Sequence, residues 1–311
     1  MPLDPISSDP LSEILDLLDA RCVMSGGLIA GGDWALRFAR PGVVKIMALA
    51  EGTCWMMVEG MAPARLDTGD VILVDGRRAF VLATDRALEP REASSAFAQK
   101  IDGLARIGDH RSFVMLGGHV ALDPARATLL LDVLPPVIHV RHDSDEAVAL
   151  QWLVQQLVRE VNGGHPGTAL ATSQLAQLMF VQALRAHLQG AGSVAGGWLR
   201  GLGDARIAQA LRLMHAEPAR TWTLGELARS VAMSRTTFAL RFKNLVGIAP
   251  LSYLLGWRMH LAGRDLRESD RAVSEIAFGL GYTSESAFSN AFKRQMGKAP
   301  KRYRTAFRNV A

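Results

Sequence analysis

The feature that most constrains what this chain can fold into is a duplication within its last hundred residues. One copy runs from Leu224 to Pro250 and the other from Val273 to Pro300. Counted from Ser234 and from Ser284, both place Phe at +4 and +8, Lys at +9, Gly at +13 and Pro at +16. Upstream, both carry Glu-[Leu/Ile]-Ala, at Glu226–Ala228 and Glu275–Ala277. Matches in so fixed a register mark a repeated structural unit.

Each copy reads as helix, tight turn, helix. Leu224, Leu227, Ala228 and Val231 are spaced for one buried helical face. Thr223 followed three residues later by Glu226 predicts a capping box. Ser234 and Ser284 stand where an N-cap belongs, and Phe238/Phe242 and Phe288/Phe292 lie four apart on one face. Gly247 and Gly297 then end the second helices, with Pro three residues beyond. Two short helices over a tight turn are the layout of a helix-turn-helix, which also occurs as a plain packing motif. Charge separates the two readings. Residues 204–311 carry 18 Lys and Arg against 8 Asp and Glu, a net of +10, whereas the whole chain is +5 and residues 1–203 are therefore −5. A basic C-terminal part on an acidic remainder is the footprint of phosphate binding.

The run from Gly279 to Arg304 resembles the DNA-binding domain of the AraC family of transcription regulators, and the resemblance covers roughly Asp204 to Arg308. It implies two helix-turn-helix subdomains joined by a long helix, here Leu251 to Arg267. Their recognition helices would enter successive major grooves about 34 Å apart. Opposite the buried Phe pairs, the candidate base-contacting residues are Arg235, Thr236, Ala239 and Leu240 in the first copy and Glu285, Ser286, Ser289 and Asn290 in the second. Arg pairs with guanine, Asn with adenine, and Glu accepts from cytosine. The family often has a polar residue or Arg where Ala239 and Leu240 stand, so hydrogen-bonded readout by the first helix rests on Arg235 and Thr236, with methyl contacts to thymine. Lys243, Lys293, Arg294, Lys298, Lys301, Arg302 and Arg304 suit phosphates, which position a protein without carrying sequence information. The four Phe, Trp222 and Trp257 read as core.

The remainder differs in pattern. Asp9-Pro10 followed by Leu11, Ile14, Leu15 and Leu18 predicts a capped amphipathic helix. From Cys22 to about Arg86, short apolar runs (Val43–Leu49, Cys54–Val58, Val71–Val74, Ala79–Leu82) alternate with Gly- and Asp-containing turns, which indicates a small β-barrel or sandwich. Glu51 to Trp55, Leu66 to Leu73 and Asp75-Gly76 together are similar to the cupin sensor domain of one AraC-family branch. From Asp145 the period becomes helical. Val148, Leu150, Trp152, Leu153, Leu157 and Val161 are placed on one helix, and a second runs from about Thr172 to Leu188, making an antiparallel hairpin. In the resembled family such a hairpin is the usual dimer contact; packing on its own barrel is the alternative. Phe113–Leu116 and Leu129–Leu134 are too short to type.

These readings combine into an α+β chain. Residues 1–189 form a cupin-like β-barrel sensor with a helical hairpin, 190–203 a Gly-rich linker in which Trp198 and Leu199 suggest docking, and 204–311 an all-α double helix-turn-helix domain. No apolar run is long enough to span a bilayer, and the N-terminus lacks the pattern of a signal peptide, which places the protein in the cytoplasm. The resemblance implies a homodimeric activator whose partners are double-stranded DNA and RNA polymerase.

Three signals compete for the sensor. A small organic effector would have Trp34, Trp55 and Met57 as its apolar wall, although aromatic residues also simply fill small barrels. Thiol redox sensing would use Cys22 and Cys54, with Arg21 favouring the Cys22 thiolate, whereas free Cys is usually a small buried hydrophobe. The alternative from another class is a cupin metalloenzyme fused to a DNA-binding module. No His falls between residues 22 and 86, and Glu51 and Glu59 alone do not make a catalytic site for a divalent ion. The expectation is therefore no metal, no cofactor and no catalytic residues.

Overall fold

The computed structural model describes residues 9–101, 103–190 and 197–308. The chain divides into two compact units. One runs from Asp19 to Ala195; the other runs from Gly196 to the C-terminus and takes in the N-terminal helix.

That helix, α1 (Pro10–Leu17), starts as its sequence predicts. Asp9 caps it by accepting from the N–H groups of Leu11 and Ser12, and Pro10 occupies the first turn. The strands that follow are β1 (Arg21–Ala30), β2 (Ala35–Phe38), β3 (Val44–Glu51), β4 (Thr53–Val58), β5 (Ala64–Asp67), β6 (Val71–Val74), β7 (Phe80–Ala83), β8 (Arg91–Glu92), and, after the short helix α2 (Ala93–Ala98), β9 (Leu104–Ile107) and β10 (Phe113–Ala121). A one-turn helix α3 (Thr128–Leu131) precedes β11 (Val137–Val140). The segments too short to type are thus the start of β10, and the end of α3 with the turn that follows it.

The strands form two sheets, ordered β11-β6-β3-β10-β1-β9 and β5-β4-β7-β2-β8. Alternate residues of both point into one shared core, including Leu28, Met47, Leu49, Ile72, Val74 and Met115 from the first sheet and Leu36, Cys54, Met56, Val58, Phe80 and Leu82 from the second. This is the double-sheet form of a cupin. At its edge, Asp70 is 1% exposed. It accepts from His139 Nε2 (2.7 Å), the His142 backbone N–H (2.8 Å) and the Asp67 N–H (3.0 Å), and lies 3.0 Å from His142 Nδ1. Burial alone would raise its pKa, but these donors hold the carboxyl well below the carboxylate range.

A 3-10 turn at Asp145–Ala147 leads into α4 (Val148–Gly163), which ends at the left-handed Gly164, and α5 (Thr168–Gln189) returns. Helix α5 packs on β1, and Gln177 ties the two by accepting from the Cys22 N–H (2.9 Å) and donating to the Ala20 carbonyl (3.0 Å). All six residues read as one helix lie on α4. Leu150, Leu153, Val154 and Leu157 make its buried face, and Val148 and Trp152 are exposed on another.

The second unit continues with α6 (Gly197–Leu202), α7 (Ala205–Ala216), α8 (Leu224–Ser230), α9 (Arg235–Val246), α10 (Pro250–Glu268), α11 (Val273–Gly279), α12 (Glu285–Met296) and α13 (Pro300–Arg308). Residues 197–202, expected as linker, are the helix α6. Trp198 and Leu199 are buried there and α6 packs on α7 and α9, so this segment belongs to the helical unit. Of the rest of the expected linker, residues 191–196 lie outside the described residues. Residues 1–189 were expected to stand together, yet α1 packs on α7.

Candidate nucleic-acid interface

The two repeats bury matching Phe pairs, and α10 packs against helices of both. In the first, the capping box of α8 is present in both directions, with Thr223 N–H donating to Glu226 (2.8 Å) and Glu226 N–H to Thr223 Oγ1 (3.2 Å). The second copy keeps only the glutamate half, where Ala272 N–H donates to Glu275 (3.0 Å), because alanine has no side-chain acceptor. Ser234 and Ser284 cap α9 and α12 through the N–H groups of Thr237 and Ala287, both at 3.2 Å. Phe238, Phe242, Phe288 and Phe292 are fully buried. Gly247 and Gly297 end the two helices at φ +86° and +75°, a left-handed conformation that costs glycine least. Trp222 and Trp257 are buried, as expected of core residues.

With the Phe pairs inward, one outward stripe is forced on each helix. Thr236, Leu240 and Lys243 on α9 match Ser286, Asn290 and Lys293 on α12, and all six are exposed. Arg235 and Glu285 are exposed beside the N-termini, and Ala239 and Ser289 are half-buried at the edge of each stripe. Leu240 is 58% exposed, an apolar side chain on an otherwise polar face. The eight residues expected at bases therefore lie at equivalent places on the two helices.

The expected phosphate ligands divide. Lys243, Lys293, Arg294, Lys298, Lys301 and Arg302 are exposed, and none of them has an ion-pair partner among the described residues. Arg304 does not join them. It is half-buried, and its guanidinium donates to the carbonyls of Leu266 (Nε, 3.2 Å) and Arg271 (Nη2), satisfying acceptors around the C-terminal end of α10. Arg241, exposed on α9, is likewise held by Asp204 (Nε to carboxylate, 2.8 Å). Asp204 also caps α7 through the N–H groups of Arg206 and Ile207, both at 3.1 Å. Burial would raise this carboxyl, but those N–H groups and Arg241 hold it below its ordinary value. The sequence reading missed Asn244, exposed at the position equivalent to Arg294; the register of the duplication was the signal that could have found it.

The sensor candidates fall elsewhere than expected. Strand alternation on β4 turns Cys54, Met56 and Val58 inward and leaves Trp55 and Met57 half-buried on the other face, with Arg86 stacked over Trp55 at 4.7 Å. Trp34 is a core residue packed on Phe113, ring centres 4.7 Å apart. No common apolar wall is formed by the three. Both cysteines are buried, and burial pushes each thiol up to about 12. Arg21 does not favour the thiolate, because its guanidinium pairs with Asp19 at 2.7 Å. Among the described residues no group of three or more His, Cys, Asp or Glu is placed to hold a metal ion, and no helix is long and apolar enough to cross a membrane.

Comparison with known proteins agrees with both halves. The family model described as "Cupin" matches residues 9–189, which includes α1, and that described as "Helix-turn-helix domain" matches residues 227–306. A putative AraC-like transcription regulator of Streptomyces lividans is 42% identical over 297 residues, 95% of this chain and 98% of that protein. Its counterpart in Streptomyces antibioticus is 41% identical over the same shares. The crystal structure of the DNA-binding domain of AdpA in complex with a target DNA is 36% identical, covers 33% of this chain and 93% of that chain, and has a TM-score of 0.32. With relatives this similar along almost the whole length, and an α+β chain that joins a cupin to a double helix-turn-helix, the protein belongs to the AraC-like family of DNA-binding transcription regulators.

Proposed function

We propose that this regulator works as a homodimeric, cytoplasmic activator that reads two half-sites with α9 and α12 and is controlled by an effector held in the cupin unit. The observation that carries the reading is the matched outward stripe of the two helices, Thr236–Leu240–Lys243 and Ser286–Asn290–Lys293. Arg235 suits guanine, Asn290 adenine and Glu285 cytosine, while Leu240 and Ala239 suit thymine methyls. Lys243, Lys293, Arg294, Lys298, Lys301 and Arg302 supply phosphate contacts, with Asn244 as a neutral addition. RNA polymerase is the further partner an activator needs. A second copy of the chain is the partner for the outer face of the hairpin, where Val148, Trp152, Leu170 and Leu178 are exposed. The buried, high-pKa thiols favour a bound effector over thiol chemistry as the signal.

The test is selection of fragmented genomic DNA by the purified full-length protein, followed by sequencing. Discrete sites with two half-elements about one helical turn apart are expected. Retention that is independent of sequence and disappears with salt would overturn the reading.

A further inference from the structure

The open end of the double sheet contains a cavity of about 330 Å3, lined among others by Phe38, Phe80, Phe97, Met47, Met115 and Lys45. That is the lower end of the range for small-molecule sites, so it suits a compact ligand. Its shape follows from strand alternation. On β3 the inward positions are Leu49, Met47 and Lys45, and their partners on β10 are Met115, Gly117 and His119. Leu49, Met47 and Met115 belong to the core, but the next inward positions do not continue it. Gly117 contributes no side chain, and a Cβ there would meet nothing nearer than 3.8 Å, so the missing side chain is part of the space. Phe38 and Phe80 stack at 4.6 Å and Phe97 meets Phe38 edge-on at 6.1 Å, giving one aromatic wall.

The charge is one-sided. Lys45 is half-buried on an inward strand position, where a long cation is costly without a partner. Burial pushes its ammonium down, and its cross-strand partner His119 is itself pushed down by burial and by Lys45. Lys100 reaches the same rim, 3.4 Å from the Ser25 carbonyl, and His119 Nδ1 lies 3.0 Å from Ser25 Oγ. No carboxylate pairs with Lys45 or Lys100 among the described residues. An apolar bed under unpaired ammonium groups is the complement of one kind of molecule.

We propose that this cavity binds a compact organic monoanion, a carboxylate on one aromatic ring or a short apolar chain, with the carboxylate on Lys45 and Lys100 and the apolar body against Phe38, Phe80 and Phe97. The inference rests on the reading of the cupin unit as an effector site and names the ligand class.

The experiment uses the full chain and four probes, benzoate, phenylacetate, octanoate and the neutral phenylacetamide, with binding measured by calorimetry and by ligand-observed NMR. At least one carboxylate should bind. If that carboxylate is phenylacetate, its amide should bind about tenfold or more weakly, since a charge-assisted bond is lost. Lys45→Met should weaken the carboxylate by a similar factor and Lys45→Arg should largely restore it. Gly117→Leu should abolish binding by filling the space; Gly117→Ala, whose Cβ fits, is the milder variant should the first not fold. Failure of all three carboxylates to bind, equal binding of acid and amide, or indifference to Lys45→Met would overturn the proposal. Genomic selection of discrete DNA sites alongside absent carboxylate binding would sink this inference and leave the regulator reading standing. Carboxylate binding without sequence-selective DNA retention would do the reverse.

Discussion

Glu13, in the first turn of α1, lies 2.8 Å from Nδ1 of His215 on α7, two hundred residues further along the chain but in the same compact unit. The other ring nitrogen, Nε2, is 2.8 Å from the Tyr253 hydroxyl, and the ring stacks on Trp257 at 4.0 Å between centres. The residue is 4% exposed, and burial favours the neutral ring; since a carboxylate only accepts, that form has Nδ1–H donating to Glu13 and Nε2 accepting from Tyr253.

Removing the acceptor leaves a buried donor. Glu13→Ala should destabilise the helical unit by about 1–3 kcal/mol, read as a lower urea midpoint with unchanged slope. An unchanged midpoint would show that α1 contributes nothing to that unit.

The same imidazole sets a pH dependence. Burial pushes His215 below its ordinary value of 6.5, with Glu13 and Asp9 pulling the other way. The unfolded chain therefore binds the proton more readily than the folded one. Its contribution is complete above about pH 6.5 and declines as pH falls from there toward the lower folded value. Melts from pH 8 to 5 should show that fall, and His215→Gln should reduce it.

Asp204 and Arg241 should separate a cap from an ion pair. Asp204→Ala removes two N–H partners at the start of α7 and should cost about 1–2 kcal/mol. Arg241→Ala removes only an exposed partner and should cost about 1 kcal/mol or less. Comparable losses in the two variants would contradict this division.

Arg304 and Lys293 should behave oppositely on DNA. Lys293→Ala should weaken binding evenly across sequences and lower the slope of log affinity against log salt by about 1. Arg304→Ala should lower thermal stability through the lost carbonyl contacts at the end of α10 and leave that slope unchanged. Asn290→Ala should relax preference at one position, at a cost of about 1–3 kcal/mol for the best site.

Trp152 is 56% exposed on the outer face of α4. Trp152→Asp should give a monomer in sedimentation with the cupin melt unchanged. A dimer that persists would place the contact elsewhere.

What the sequence alone determined was whatever depends on near neighbours along the chain. Asp9-Pro10, the Thr223–Glu226 box, the Ser caps and the glycines at 247 and 297 each act within four residues, so they could be read directly and appear where expected. The duplication went further, because two copies in one register place Leu240 and Asn290 on equivalent outward stripes by sequence alone. Tertiary structure decided everything that depends on direction across a sheet or on distant partners. Trp55 and Met57 alternate with Cys54 and Met56, and only the pairing of β4 within its sheet determines which pair faces the core. Arg304 looked like its basic neighbours, and only folding brings Leu266 and Arg271 to its guanidinium, more than thirty residues away. The cavity beside Lys45 arises the same way, from Gly117 standing opposite Met47 across a strand pair. A missing side chain is visible in a sequence, but the space it leaves exists only once strands remote in sequence have been brought into register.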